Sequence, residues 1–242
     1  IGVTAAQVRS TRHGNTPQVT TPHSRRRVGL ADYEWADLID DLDKVRMLAD
    51  PTSSYAKAAA AAMNRSIDDV IITAIGGQAQ TGVSGGTNQL LPSSSKFATS
   101  AQSDGMTIAK LLAAKHFLDA GDVDPSLKRY IVCGAKQIQD LLGTTSVTSA
   151  DFNTVKALAS GQVDSFLGFQ FIMSNRLALA NTDDRLCYAF TQDAVKLAIG
   201  ADVKAKISER DDKSYATQVY YSMALGAVRM EEEKVFEIPC DE

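Results

Sequence analysis

Apolar residues between positions 52 and 77 recur at steps of three and four, which is the spacing of one buried helix face. That face comprises Tyr55, Ala59, Met63, Ile67, Val70, Ile71 and Ala74. Pro51 cannot continue a preceding helix, and Gly76 and Gly77 favour the left-handed geometry that ends one. The pattern therefore predicts a single helix over 52–77, roughly 35 Å long, around which the rest of the chain is organised.

The first thirty residues are rich in threonine, short of large apolar side chains and free of acidic ones. Segments 3–12 and 18–28 can each be extended, and residues 13–17 between them have turn chemistry. We predict a long two-stranded hairpin arm that projects from the body. Because a lone hairpin is marginal in water, the arm is expected to lie on another subunit.

The remaining pattern predicts an α+β fold whose central part is a mixed α/β module. The predicted helices cover 33–49, 107–120, 135–142, 151–160 and 192–199. The predicted strands cover 129–133, 166–173, 186–190, 204–209 and 234–238, with 204–209 at a sheet edge. Segment 215–223 suits either a helix or a strand, and residues 78–103 predict a long polar loop.

Charge is segregated near the N-terminus, where a basic arm is followed directly by an acidic segment. The arm is either a phosphate-binding patch or a surface that meets the acidic segment of a neighbouring copy. The formal net charge of -4 favours the second interpretation, since phosphate-binding patches usually belong to basic domains. The acids lack the loop spacing of a divalent-metal site. The candidate inter-subunit contacts are Arg9, Arg12, Arg25, Arg26, Arg27, Asp37, Asp40, Asp41 and Asp43.

The sequence indicates no catalytic, cofactor-binding or metal-binding set. Cysteines 133, 187 and 240 lack metal spacing and are expected to be reduced, buried thiols. His116 is expected to be a partly buried core residue. The motif GVSGGT lacks the P-loop pattern. A small α/β enzyme with a pocket near Gly85, Gly86 and His116 is the alternative from a different functional class.

No apolar run approaches the ~20 residues that span a bilayer, and no signal-peptide pattern opens the chain. We therefore expect a soluble protein without membrane contact. Because the chain opens Ile-Gly-Val, we also expect that an N-terminal piece precedes it in the gene product.

Several stretches, taken in order, resemble one known family. RHGNTPQVTTPHSRRRVGLADYEWADLIDDLDKVRML, followed by the Ala-rich helix ending in IDDVIITA, resembles the arm and spine of podovirus-type major capsid proteins of tailed bacteriophages, which have the Hong Kong 97 capsid fold. GFQFIMSNRL, CYAFTQDAVKLAIG and SYATQVYYSMALGAVRMEEEKVFEIPC resemble its central strands, helix and closing strand. The resemblance covers nearly the whole chain.

The resemblance implies a domain plan: an extended arm (E-loop) over 1–30, a peripheral domain over 31–121 with spine helix 52–77, an axial domain over 122–202, and a return to the peripheral domain with a closing strand over 203–242. It implies self-assembly into the icosahedral head shell that encloses double-stranded DNA. An encapsulin-like nanocompartment shell shares the fold and is the related alternative.

The same resemblance implies the partners. They are copies of the chain in pentamers and hexamers, portal and scaffolding proteins, packaged DNA through weak non-specific contact, and decoration proteins as an open question. It places the protein in the virion after assembly in the host cytoplasm. Some members of the fold link an arm lysine covalently to a neighbour's asparagine. The first lysine here is Lys44, after the arm, so we expect a shell without such cross-links.

Overall fold

The computed structural model describes residues 4–9, 11–16, 18–21, 23–40, 52–97, 104–121, 123–143, 165–180 and 183–242. Three helices lie in this part of the chain: α1 (Thr52–Gly76), α2 (Ile108–Ala120) and α3 (Ala135–Gly143). The strands are β1 (Arg26–Arg27), β2 (Ala31–Ile39), β3 (Ala79–Thr81), β4 (Thr87–Gln89), β5 (Arg129–Cys133), β6 (Ser165–Phe166), β7 (Phe169–Met173), β8 (Asp184–Thr191), β9 (Val195–Arg210), β10 (Ala216–Arg229) and β11 (Val235–Asp241). The fold is therefore α+β, as expected.

Helix α1 confirms the predicted spine to within one residue at its end. Met63 on its buried face packs with Met223 and Leu225 of β10, and the aromatic side chains of β2 lie beside this contact. Ile72 and Ile75 near its C-terminal end enter the main core instead. The spine therefore contacts two hydrophobic clusters, one along its middle and one near its C-terminal end.

The sheet under the spine has the strand order β2-β10-β9 and is antiparallel throughout. Two predicted helices are wrong here. Residues 33–39 lie in β2, because Tyr33 and Trp35 alternate with acidic residues and pair with β10, while 41–49 lie outside the described residues. Residues 195–199 lie in β9, and the Thr191 hydroxyl donates to Asp193 at 2.8 Å rather than starting a helix. In both segments strand pairing overrides a weak helical spacing.

Strands β9 and β10 form a long hairpin closed by a short 3-10 turn at Asp211–Lys213. Segment 215–223, left open by the sequence, is extended within β10. The predicted edge strand 204–209 is confirmed within β9, which is the outer strand of its sheet.

The second large sheet has the order β11-β8-β5-β7-β6, with β5 and β7 parallel and the other pairs antiparallel. Helix α3 and strands β5, β8 and β11 confirm the predictions for 135–142, 129–133, 186–190 and 234–238. Segment 166–173 is divided by a turn in which Leu167 and Gly168 have φ values of 52° and 86°. The closing strand β11 pairs with β8. The predicted helix 151–160 lies outside the described residues, and the domain boundaries stay predictions.

Helix α2 confirms the predicted helix, with Thr107 as its N-cap. Its buried face is formed by Lys110, Leu111, Ala114 and Leu118. His116 lies on the opposite side and is exposed, so the expectation of a partly buried core histidine is wrong. The three-to-four-residue step from Leu111 through Leu118 leaves position 116 facing solvent.

Two predictions about irregular segments need correction. The polar loop over 78–103 contains the β3–β4 hairpin, which pairs with β1, and a 3-10 turn at Ser93–Ser95. In the arm, the described residues before Arg26 form no strand, and a turn at 11–13 with His13 at φ 65° is the only regular feature there. The predicted two-stranded hairpin is therefore not formed in the described residues, since so few apolar side chains give the arm nothing to bury.

Candidate inter-subunit surfaces and the root of the arm

The arm is fixed to the body at Arg26. Its Nη2 lies 2.7 Å from Oε2 of Glu232, and its Nε donates to the carbonyl oxygen of Met230 at 2.9 Å. The Arg26 side chain is only 8% exposed, so this pair is well shielded from solvent. Within the subunit, Arg26 therefore anchors the arm to the segment that follows β10.

Arg229, the last residue of β10, lies beside this ion pair and is 0% exposed. Its Nη1 donates to the carbonyl oxygens of Ile75 at 2.8 Å and Gly77 at 2.7 Å, and its Nη2 donates to that of Gln89 at 3.1 Å. Carbonyl groups at a helix C-terminus lack intrahelical donors and favour a positive charge. Arg229 thus caps the end of the spine and ties it to β4.

Arg26, Arg229 and Glu232 form what we call the arm-root cluster. Nε of Arg229 lies 3.7 Å from Oε1 of Glu232, so one carboxylate faces both guanidinium groups. Burial lowers the pKa of Arg229 from its ordinary value, and the nearby Arg26 charge acts in the same direction, whereas Glu232 raises it. The cluster joins the arm, the spine, the β3–β4 hairpin and the end of β10 at one buried point.

Sequence reasoning missed Arg229 and Glu232. One signal was present: the buried positions of β10 include Val219, Met223 and Leu225, and Arg229 continues their every-second-residue series. An arginine at a core-facing strand position needs buried acceptors, and three glutamates follow it closely in the sequence. The carbonyl partners from distant segments carried no sequence signal.

Beyond its root, the arm crosses the spine sheet where two glycines allow close approach. A Cβ at Gly226 of β10 would overlap the carbonyl oxygen of Gly29. A Cβ at Gly200 of β9 would lie 2.7 Å from Cδ1 of Leu30, which is too close for carbon atoms. Gly226 therefore sets the path by which the chain leaves β1 and enters β2, whereas the exposed Leu30 side chain can move away from position 200.

The other arm arginines extend into solvent. Arg9 donates from Nε to the carbonyl oxygen of Thr11 at 3.1 Å, and Arg27 donates from Nη1 to that of Ser84 at 3.2 Å. Arg12 and Arg25 are also exposed. No ion pair among the described residues joins these four arginines to a carboxylate, so their charges are available to a partner.

The acidic candidates lie on an extended segment rather than on a helix. Asp37 is exposed in β2, where its Oδ1 accepts the N–H of Leu38 at 2.8 Å, and Asp40 is exposed just after the strand. Asp41 and Asp43 lie outside the described residues. The structure thus places the four arm arginines other than Arg26 and these two acids at the surface, without bringing them together inside one subunit.

The buried thiols are not arranged as a reactive site. Cys133, Cys187 and Cys240 are free and fully buried on neighbouring strands β5, β8 and β11. Burial raises the pKa of Cys133 to about 12, and the Cys240 thiol together with burial raises that of Cys187. Across the described ranges, no group of three or more His, Cys, Asp or Glu side chains has metal-binding geometry. In the same part of the chain, no helix is long and apolar enough to cross a membrane.

These features describe an α+β fold with a shielded anchor for a basic arm. The whole chain, residues 1–242, matches the family model described as phage capsid protein. The chain therefore belongs to the phage capsid protein family. It is a capsid protein that forms the phage head shell by oligomeric assembly, and it is a component of the virion.

Solved capsid structures share the fold. The capsid structure of cyanophage P-SCSP1u aligns with a TM-score of 0.68 at 18% identity, covering 96% of this chain and 80% of that one. The capsid asymmetric unit of cyanophage Pam1 gives a TM-score of 0.67 at 14% identity over 98% and 82% of the two chains. A structure from Mycobacterium phage Che8 gives 0.65 at 22% identity over 86% and 70%. Curated proteins provide no match.

Proposed function

We propose that this chain is the major subunit of an icosahedral shell that assembles from pentamers and hexamers around double-stranded phage DNA. The observation that carries the proposal is that the arm has exposed positive charges without acidic partners among the described residues. Four exposed arginines without an acidic partner in the described residues belong to a segment that the subunit holds firmly only at its root. A segment of this kind gains partners when copies of the chain meet.

The proposed contact joins the arm of one copy to the acidic segment of the next. Arg9, Arg12, Arg25 and Arg27 supply the positive charge, and Asp37 and Asp40 are exposed on β2 and just beyond it. Exposed ion pairs are individually weak and are screened by salt. Repetition around closed rings makes such contacts collectively stabilising. Arg26 contributes indirectly by holding the arm at Glu232.

The experiment reverses two charges on the arm and then reverses two charges on the acidic segment that the arm is proposed to contact. R12E/R25E should lower the yield of shells, and adding D37K/D40K to the same chain should recover it, since every copy carries both surfaces. K57E/K128E, which reverses two exposed charges elsewhere, is the matched control and should assemble normally. Electron microscopy and sedimentation measure assembly. Shells of R12E/R25E in wild-type yield would refute the arm contact.

The proposal extends to partners and chemistry. Assembly takes place in the host cytoplasm with portal and scaffolding proteins, and packaged DNA meets the wall only weakly, as suits an acidic chain. The chain carries out no catalysis, which H116A tests: assembly and particle composition should be unchanged. Particles filled with DNA support the phage shell, whereas particles filled with enzyme cargo would favour a nanocompartment.

A further inference from the structure

Strand β9 presents a long free edge with two distinct faces. It is the outer strand of the sheet β2-β10-β9, and no backbone hydrogen bond joins it to another described strand except β10. Ile199 and Ile207 are 60% and 59% exposed. A long strand edge with uncovered apolar side chains is a surface that proteins normally protect or pair. Among the described residues, this edge is therefore available to a partner strand.

The charge of the edge restricts what the partner can be. Lys204 and Lys206 lie on one face, because they pair with Ser222 and Tyr220 of β10, two residues apart. Neither lysine forms an ion pair within the described residues. The strand carries four basic and two acidic side chains. A basic arm would be repelled here, so the edge favours an extended, acidic partner.

The opposite edge of the same sheet has that character. Strand β2 contains Asp32, Glu34 and Asp37 and no basic residue, and it too pairs with β10 alone among the described strands. Glu34 lies opposite Ser222, and Ser222 also lies opposite Lys204. Asp32 and Glu34 therefore share one face of the sheet with Lys204 and Lys206, whereas Asp37 lies on the other face. The sheet thus has one acidic and one basic free edge.

We propose that the β9 edge of one copy pairs with the β2 edge of a second copy, which extends the spine sheet across the boundary between subunits. Asp32 and Glu34 of the second copy would then lie opposite Lys204 and Lys206, at the spacing of cross-strand pairs. The contact uses two different surfaces, so it is head-to-tail and can repeat around a closed ring. It rests on the proposed shell function. Both contacts use β2, but the edge contact uses Asp32 and Glu34, on the face opposite to Asp37 of the arm contact.

The test uses charge reversal on each edge and on both. K204E/K206E should lower the yield of assembled particles about tenfold or more, because like charges then face each other at every copy of the contact. D32K/E34K should do the same. The chain with all four substitutions should assemble again, since its edges are complementary once more. K57E/K128E serves as the matched control, and thermal unfolding of the unassembled subunits shows that each variant folds.

The alternative occupant of the lysine row is a polyanion such as DNA, and the same variants separate the two. Assembly is measured without phage DNA, and binding of a short DNA duplex is measured by fluorescence anisotropy. Wild-type assembly by K204E/K206E would overturn the edge contact. The edge contact would also be overturned if K204E/K206E lost both assembly and duplex binding, and the chain with all four substitutions did not recover assembly. A wild-type chain that never assembles, with or without the other head proteins, would instead refute the proposed shell itself.

Discussion

Replacing Arg229 by methionine should destabilise the folded subunit severely. The guanidinium is 0% exposed and donates to three carbonyl oxygens, those of Ile75, Gly77 and Gln89. Methionine fills a similar volume but donates nothing, so R229M leaves these acceptors without their donor. Glu232 keeps its contact with Arg26 at 2.7 Å, and the arm therefore stays attached.

The magnitude follows from those contacts. Three hydrogen bonds to a charged donor contribute about 1.5 to 3 kcal/mol each. Burial of the methionine side chain returns about 1.5 to 3 kcal/mol. The free energy of unfolding should therefore fall by about 2 to 7 kcal/mol, a large share of the stability of an ordinary domain. R229K should lie between wild type and R229M, because an ammonium group cannot reach all three carbonyls from one position.

The assay is urea unfolding of the unassembled subunit, followed by circular dichroism and by the fluorescence of Trp35, the single tryptophan. Trp35 packs edge-on against Tyr221 with ring centroids 6.5 Å apart, so its emission reports on the spine sheet. R210M is the control, since Arg210 is half-buried at the hairpin end, where it pairs with Asp212 and donates from Nη1 to Oε1 of Gln218 at 3.0 Å. It should change stability by no more than about 1 kcal/mol. A loss below about 1 kcal/mol for R229M would refute the capping role.

Three further predictions concern the crossing of the arm over β10, a buried thiol and covalent cross-linking. G226A should destabilise the subunit by about 1 to 3 kcal/mol, because the new Cβ would overlap the backbone of the crossing arm. G86A is the control: its Cβ would lie in open space, so it should lower stability much less. Thermal unfolding compares the two variants. Because the pKa of the buried Cys133 thiol is raised, its contribution to stability is complete below about pH 9 and is lost as pH rises toward 12. In C133A, the free energy of unfolding measured in urea should therefore fall less steeply over that range, by up to about 1.4 kcal/mol per pH unit. An unchanged slope would contradict the burial of this thiol. Mature shells boiled in detergent should run as a single monomer band, and a ladder of covalent rings would show that the position of Lys44 does not prevent cross-linking.

The sequence predicted the elements whose apolar side chains keep a helical or strand spacing over most of their length. Helix α1 was predicted because its apolar side chains follow one consistent spacing for 25 residues. Strand β2 was misread because Trp35, Leu38 and Ile39 fit a helical spacing as well as a strand, and its acids suited a helix N-terminus. Pairing with β10, nearly two hundred residues later, decides between the two. Long-range pairing of this kind leaves little trace in a local pattern.

The candidate site also has a part that the sequence indicated and a part that it did not. The segregation of basic and acidic residues was visible, and most of those side chains lie at the surface. The anchoring role of Arg26 was not, because its partner Glu232 is 206 positions away. Arg229 was missed for a related reason: its acceptors are backbone carbonyls, which every residue has. Side-chain patterns therefore indicated where the subunit is charged but not which charges hold it together.

Cryo-electron microscopy of particles assembled from this chain, at a resolution that traces the arm, tests whether the arm joins neighbouring subunits. We expect closed shells in which the arm of each subunit lies on the acidic segment of a neighbour, with Arg26 still paired to Glu232 of its own chain. A protein that stays monomeric under all assembly conditions, or a shell in which the arm folds back on its own subunit, would contradict this expectation.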